Sequence, residues 1–184
     1  MTTASQAPAA TSWTIDPAHS VVEFAVKHLM FSTVKGRFPN VSGAIALNDA
    51  DLSASSVTAE IDTASIHTGE PNRDAHLRSG DFLDVENFPS ITFESTGVVP
   101  RGSNSFVIVG NLTLHGVTQE VTLEAELAGK GTDPWGGQRA GFTASTSISR
   151  KEFGLTWNQG LEAGGVLVSD QVKISLEIQA TQQA

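Results

Sequence analysis

Cysteine is absent from this chain, which removes disulfide frameworks, thiolate metal centres and cysteine nucleophiles together. Cations are scarce: 11 Lys and Arg stand against 20 Asp and Glu, a formal net charge of −9 at pH 7. Nucleic acid and an anionic membrane surface both require a basic footprint, so neither is expected as the main partner; a lipid would be carried rather than bound as a sheet. No apolar run approaches the roughly 20 residues that cross a bilayer, and stable membrane insertion is not expected. The opening MTTASQAPAATSW lacks the basic start and apolar run of a secretory signal, so the expectation is a soluble, cytoplasmic protein. Chemistry has few footholds. None of the many serines lies in a G-x-S-x-G elbow, and no two of the 5 histidines stand at the helical spacing used by metal hydrolases.

What is present fits one sizeable core: 184 residues, 39% hydrophobic and 17% charged, with nothing to suggest a second domain. The expected division is a tail over 1–11, one barrel domain over 12–180 and a short tail over 181–184. Strand alternation recurs along the chain. Val22, Phe24, Val26 and His28 share one face against Glu23 and Lys27, and Val57, Ala59 and Ile61 alternate with Thr58, Glu60 and Asp62. Later runs repeat the pattern through Phe106 and Ile108, then Leu112 and Leu114, then Val121 to Leu127, Ala140 to Ile148 and Val172 to Ile178. Their close spacing is that of an antiparallel meander. Leu29-Met30-Phe31 reads as a helical turn between two strands.

One stretch departs from the pattern. Ile66 to Phe93 packs His67, His76, Arg73, Arg78 and several carboxylates between plain strands, and Glu70-Pro71 can open a short helix there that Gly80 ends. A short helical insertion is therefore expected around 70–85.

About eight strands with one apolar face each, and no helix long enough to cover a sheet, must bury that face against themselves. A sandwich or a closed barrel does this. Strands of eight to ten residues reach roughly 26–33 Å, which suits an elongated eight-stranded antiparallel barrel of the lipocalin type, able to hold one small ligand. The inward sets mix large residues (Phe24, Phe93, Phe106, Phe142) with small ones (Ala59, Gly110, Ala125, Ala140, Ala144). That mixture either leaves a channel or packs into a dense core.

The segments Trp13-Thr-Ile-Asp-Pro-Ala-His-Ser20, Gly36-Arg-Phe38 and Arg73-Asp-Ala-His-Leu77 stand in a distinctive order. They continue with Asp81-Phe82, Phe88-Pro-Ser-Ile-Thr-Phe93, Gly110-Asn-Leu-Thr-Leu-His-Gly-Val-Thr118, Arg150 to Gly154 and Val168-Ser-Asp-Gln-Val172. In order and spacing, from Trp13 to Ile178, the chain resembles the YceI-like family of lipocalin-fold, polyisoprenoid-binding proteins. The resemblance implies an all-β extended barrel whose apolar channel holds a long isoprenoid chain, as in a carrier or storage protein, with no cofactor and no chemistry on the ligand. Family members are often exported behind a signal peptide, and this sequence departs from that pattern.

The expected lining is Phe24, Val26, Phe93, Phe106, Ile108, Phe142 and Ala144, with His28, Arg73 and His76 nearer a polar end. Each polar residue has a plainer reading. Arg73, Asp74 and His76 could converge on a head group or brace the helix, and His28 could be a satisfied core histidine. His19 and His115 sit at turns. Arg150 and Lys151 read as a solvated bulge or strand end, and Trp135 and Trp157 as loop residues that could guard a barrel mouth. Two other functions remain open at this point. One is a metal-dependent hydrolase drawing on His19, His28, His67, His76 or His115 with Asp74 or Asp81, and the other a ligand-free interaction scaffold that forms a homodimer through a sheet face or loop cluster.

Overall fold

The computed structural model describes residues 9–184. Ten strand segments run in chain order: β1 (Thr11–Ile15), β2 (Val21–His28), β3 (Ser32–Phe38), β4 (Val41–Leu47) and β5 (Ser56–Asp62), then β6 (Ser90–Pro100), β7 (Ser105–Leu114), β8 (Val117–Thr132), β9 (Gln138–Ser149) and β10 (Val168–Gln182). The helix α1 (Pro71–Arg78) lies between β5 and β6. All pairings are antiparallel, and β10 returns to the start of the chain, pairing with β2 through Val168–Glu177 and with β1 through Ala180–Gln182. β1 and β2 therefore form one stave of the wall, and β3 and β4 another. The result is the expected closed, eight-stranded, lipocalin-like barrel.

The breaks within those two staves have a local cause. Pro17 and Pro39 cannot donate to a ladder, and at the first break the Asp16 carboxylate accepts the Ala18 N–H at 3.0 Å, turning the chain through a single 3-10 turn before β2 begins. Within the strands, alternation sets the inner face. Val172, Ile174, Leu176 and Ile178 of β10 stand in register with Ile148, Thr146, Ala144 and Phe142 of β9, so both sets enter the lumen together.

Two expectations need correction, and a third is narrowed. Pairing reaches beyond 12–180: Trp13 opposes Gln182, and the Gln183 N–H donates to the Ser12 carbonyl at 2.8 Å, because closure makes each chain end supply the other's missing ladder. Residues 181 and 182 are thus wall, not tail, and residues 1–8 of the expected N-terminal tail lie outside those described. Leu29 and Met30 do not form a helical turn. They occupy the two central positions of a tight hairpin turn at φ 52° and 65°, closed by the Phe31 N–H on the His28 carbonyl at 3.3 Å. The insertion near 70–85 is helical only as far as Arg78. Glu70 caps it by accepting the Asn72 and Arg73 N–H groups at 3.2 and 2.6 Å, and beyond Ser79 the chain continues in turns that dock Leu83 and Val85 back on the Leu77 and Arg78 carbonyls.

The barrel has two unlike ends. At one lie buried Trp13 and the links after β4, β6 and β8; at the other lie the β2–β3 turn, the segment carrying α1 and the long link from Arg150 to Leu167. No helix among the described residues is long and apolar enough to cross a membrane.

Candidate functional site

An internal cavity of about 280 Å³ runs along the barrel axis from Leu47 and Val98 near the tryptophan end to Leu83 and Leu155 at the helix end. Its lining is apolar apart from Ser55, Ser56, Thr143, Thr146 and Arg150. Two glycines help keep it open. A Cβ on Gly36 would sit 2.3 Å from Phe24 Cζ, and one on Gly110 would sit 2.4 Å from Phe93 Cζ, so each ring lies over bare backbone on the wall.

Seven of the ten residues expected at the site share this lumen: Phe24, Val26, Phe93, Phe106, Ile108, Phe142 and Ala144. The three polar ones do not line it. His28 closes β2, opposite Ser32 on one side and Val168 on the other. Arg73 turns back on its own loop, with Nε donating to Thr68 Oγ1 at 2.8 Å and a terminal nitrogen to the Thr68 carbonyl at 3.1 Å. His76 lies 2.8 Å from the Asp81 carboxylate and packs edge-on against Phe82 and Trp157, with ring centroids 5.0 and 4.8 Å away. Of that trio only Phe82 reaches the cavity, so His76 backs the lining instead of forming it. Trp157 is half-buried at the helix end, whereas Trp135 stands exposed on the β8–β9 link at the opposite end.

Buried Asp74 ties this region together. Its carboxylate accepts the Thr68 N–H at 2.9 Å and the Thr68 hydroxyl at 2.5 Å, and His67 Nδ1 lies 3.4 Å away. Burial alone would push the group up, but the bonds from Thr68 and the nearby charges of His67 and Arg78 outweigh it and hold the carboxyl below its ordinary range. Arg78 completes the brace by donating to the Ala64 and Ile66 carbonyls at 2.8 and 2.7 Å.

Arg150 is not a solvated strand end. Only 4% of it is exposed, and its guanidinium donates to four backbone carbonyls: Leu155 and Trp157 at 2.8 and 2.9 Å, Ser169 at 2.9 Å and Val168 at 3.3 Å. Burial pulls the guanidinium below its ordinary value while the Asp170 carboxylate opposes that shift. Arg150 lines the helix end of the cavity and is its one charged wall residue. A signal for this was available, since Ile148 faces inward and Arg150 is the next position of the same parity.

The remaining histidines do not gather. His19 pairs with Asp16 and His67 with Asp74, and among the described residues no three His, Asp or Glu side chains come together in a group that could hold a metal ion.

The sequence over residues 13–180 matches the family model of the YceI-like domain. The chain belongs to the YceI-like family. A UPF0312 protein of Pseudomonas aeruginosa is 43% identical over 183 residues, covering 98% of this chain and 92% of the relative. Among solved structures, BcnA of Burkholderia cenocepacia superposes with a TM-score of 0.80 at 25% identity, covering 91% of this chain and 99% of that one. A polyisoprenoid binding domain from Saccharophagus degradans, implicated in plant cell wall breakdown, superposes at 0.70 over 94% of this chain and 99% of its own. At 14% identity that last likeness speaks for the fold alone.

Proposed function

We propose that this YceI-like barrel binds a long apolar chain, a polyisoprenoid or isoprenoid quinone, along its axis and carries or stores it without reacting it. The observation that carries the reading is the cavity, continuous from Val98 to Leu155 and apolar on nearly every wall. From Ile91 to Val98 a strand advances roughly 23 Å, so the space is long and narrow, suited to a chain and not to a compact polar metabolite. Each methylene removed from water contributes about 0.8 kcal/mol, so a chain of this kind binds well with few polar contacts. A polyisoprenoid binding domain of Saccharophagus degradans is built on the same barrel, so the fold admits a ligand of this class.

Native mass spectrometry of the purified protein, combined with organic extraction, tests the reading; a stoichiometric long-chain lipid is expected. Ala144→Trp, which places an indole in the lumen, is expected to abolish lipid uptake while the circular dichroism of the barrel is retained. A folded Ala144→Trp variant that carries as much lipid as wild type removes this lumen from the binding site.

A further inference from the structure

The β2–β3 hairpin ends in a turn that general backbone chemistry does not favour. Leu29 and Met30 both hold φ values in the left-handed region, where Asn-Gly is the preferred pair and side chains as large as leucine and methionine are disfavoured. The turn does not offset this by burying the residues around it. Met30 is 58% exposed and Phe31 75% exposed, an apolar pair held in water at the helix end of the barrel. Its position relative to the cavity is fixed by contacts. The Leu29 N–H donates to the Leu167 carbonyl at 2.9 Å, a Cβ on Gly165 would lie 3.6 Å from Met30 Cγ, and His28 stands opposite Val168, which lines the cavity.

Three lysines stand on the outer face beside this turn. On the outer face Lys35 and Lys173 flank Ala25 in register, roughly 10 Å apart across two strand spacings, and exposed Lys27 stands beside them with its Nζ on Thr33 Oγ1 at 2.7 Å. None of the three lysines makes an ion pair among the described residues. The acidic residues Glu124, Glu126 and Glu177 share a recess of the outer wall further along the barrel, and Glu23 at its edge stands one outward position from Ala25, opposite Arg37. Charges further off than about 8 Å are largely screened at physiological salt, so a surface meeting the hairpin senses these three lysines, with Glu23 and Asp170 as their nearest carboxylates, more than the net charge of −9.

We infer that the β2–β3 hairpin is a membrane-docking element: Met30 and Phe31 enter the interface of an anionic lipid bilayer while Lys27, Lys35 and Lys173 meet its head groups. An apolar tip beside a small basic face is what reversible interfacial binding requires, and each lysine near an anionic surface adds to it. The element stands at the end of the cavity closed by loops, where a lipid leaving a bilayer would be received. This last point rests on the carrier reading; the docking itself does not.

The test is co-sedimentation of the full chain with vesicles of phosphatidylcholine mixed with phosphatidylglycerol, compared with vesicles of phosphatidylcholine alone. Wild type is expected to partition onto the mixed vesicles and much less onto the neutral ones. The variant Leu29→Asn/Met30→Gly/Phe31→Ser gives the turn the residues its geometry prefers, so it is expected to keep or raise its melting temperature while losing about tenfold or more in partition. Lys27→Glu/Lys35→Glu is expected to erase the preference for the anionic vesicles. Wild type that stays in solution, or a tip variant that sediments as wild type does, overturns the docking. So does a wild-type dimer that the tip variant dissolves, since the pair would then cover a second copy of the chain. Organic extraction of the same samples separates the two proposals: lipid carried by a wild type that ignores vesicles leaves the carrier reading standing, and vesicle binding by a lipid-free wild type leaves the docking standing.

Discussion

The two ends of this barrel are closed by different means. Around Trp13, which is 3% exposed, the seal is made by Leu47, Ala140 and Ala180, and each of these residues sits on a strand. The same ladders that hold the wall hold the plug. A clasp backs it: Arg139 donates to Asp133 at 2.9 Å and to Asp16 at 2.8 Å. At the helix end the closing residues Leu77, Phe82, Leu83 and Leu155 belong to α1 and to links, and bonds from Asp74, Arg78 and Arg150 to backbone of neighbouring segments keep them in place. One end is held mainly by strand pairing, with Leu52 of the β4–β5 link packed against the plug. The other can open by releasing side-chain bonds while the barrel stays intact, the behaviour of a low-stability unit on a stable scaffold.

The sharpest break in this comparison is Trp13→Ala. Losing a buried indole from a strand-borne plug is expected to cost about 3–5 kcal/mol in urea unfolding, with hydrogen exchange accelerated along β1, β4 and β10 together. Arg150→Met follows, at about 3 kcal/mol, because one buried and three part-buried carbonyls lose a charged donor. Here exchange should rise first in 150–167 and leave the ladders of β6 to β8 protected; uniform acceleration would show that the helix end is not an independent unit.

Gly36→Ala and Gly110→Ala act on the lumen. The added methyl meets Phe24 or Phe93 at 2.3 or 2.4 Å and must push the ring off the wall, at about 1–3 kcal/mol and with less lipid recovered by extraction. Asp74→Asn is smaller, about 1 kcal/mol, and its use is in the pH dependence. The carboxyls of Asp16, Asp74, Asp133 and Asp170 are all held below their ordinary value of 3.8 in the folded protein, Asp16 chiefly by its bond to His19, Asp133 by Arg139 and Asp170 by Ser149. A depressed folded pKa stabilises above the unfolded value and is lost as pH falls through the folded one. Urea midpoints are therefore expected to stay level from neutral pH to about 5 and to fall below about 4, with Asp74→Asn shallowing the fall.

Much of the wall was legible in the sequence, for a simple reason. Residues such as Val22, Phe24 and Val26 alternate with charged neighbours, and a period of two admits few other structures. Whether the inner faces formed a channel was not legible, because Ala125 or Ala144 can equally be a gap or a fit for a phenylalanine. The answer depends on ring placement over Gly36 and Gly110, which only cross-strand register reveals. Arg150 had the parity of a lumen residue, but a charge there contradicted burial until its carbonyl partners were seen. Arg73 and His76 carried the chemistry of a head-group site, yet their bonds run to Thr68 and Asp81. Nothing in Leu29-Met30 announced left-handed backbone, since neither residue prefers it.

The pairing of β1 and β2 with β10 also sets the order of events as the chain folds. The Ser20 hydroxyl and the Gln179 backbone bond each other in both directions across 159 residues, and no earlier strand can take the place of β10 at that seam. A nascent chain can pair β4 through β9 as it emerges, but it keeps two open strand edges until β10 arrives. Closure is then a late, non-local step, slow by its topology. For that interval the future lumen is an exposed apolar sheet, the stage at which a chaperone, an aggregating neighbour or a first ligand meets the protein.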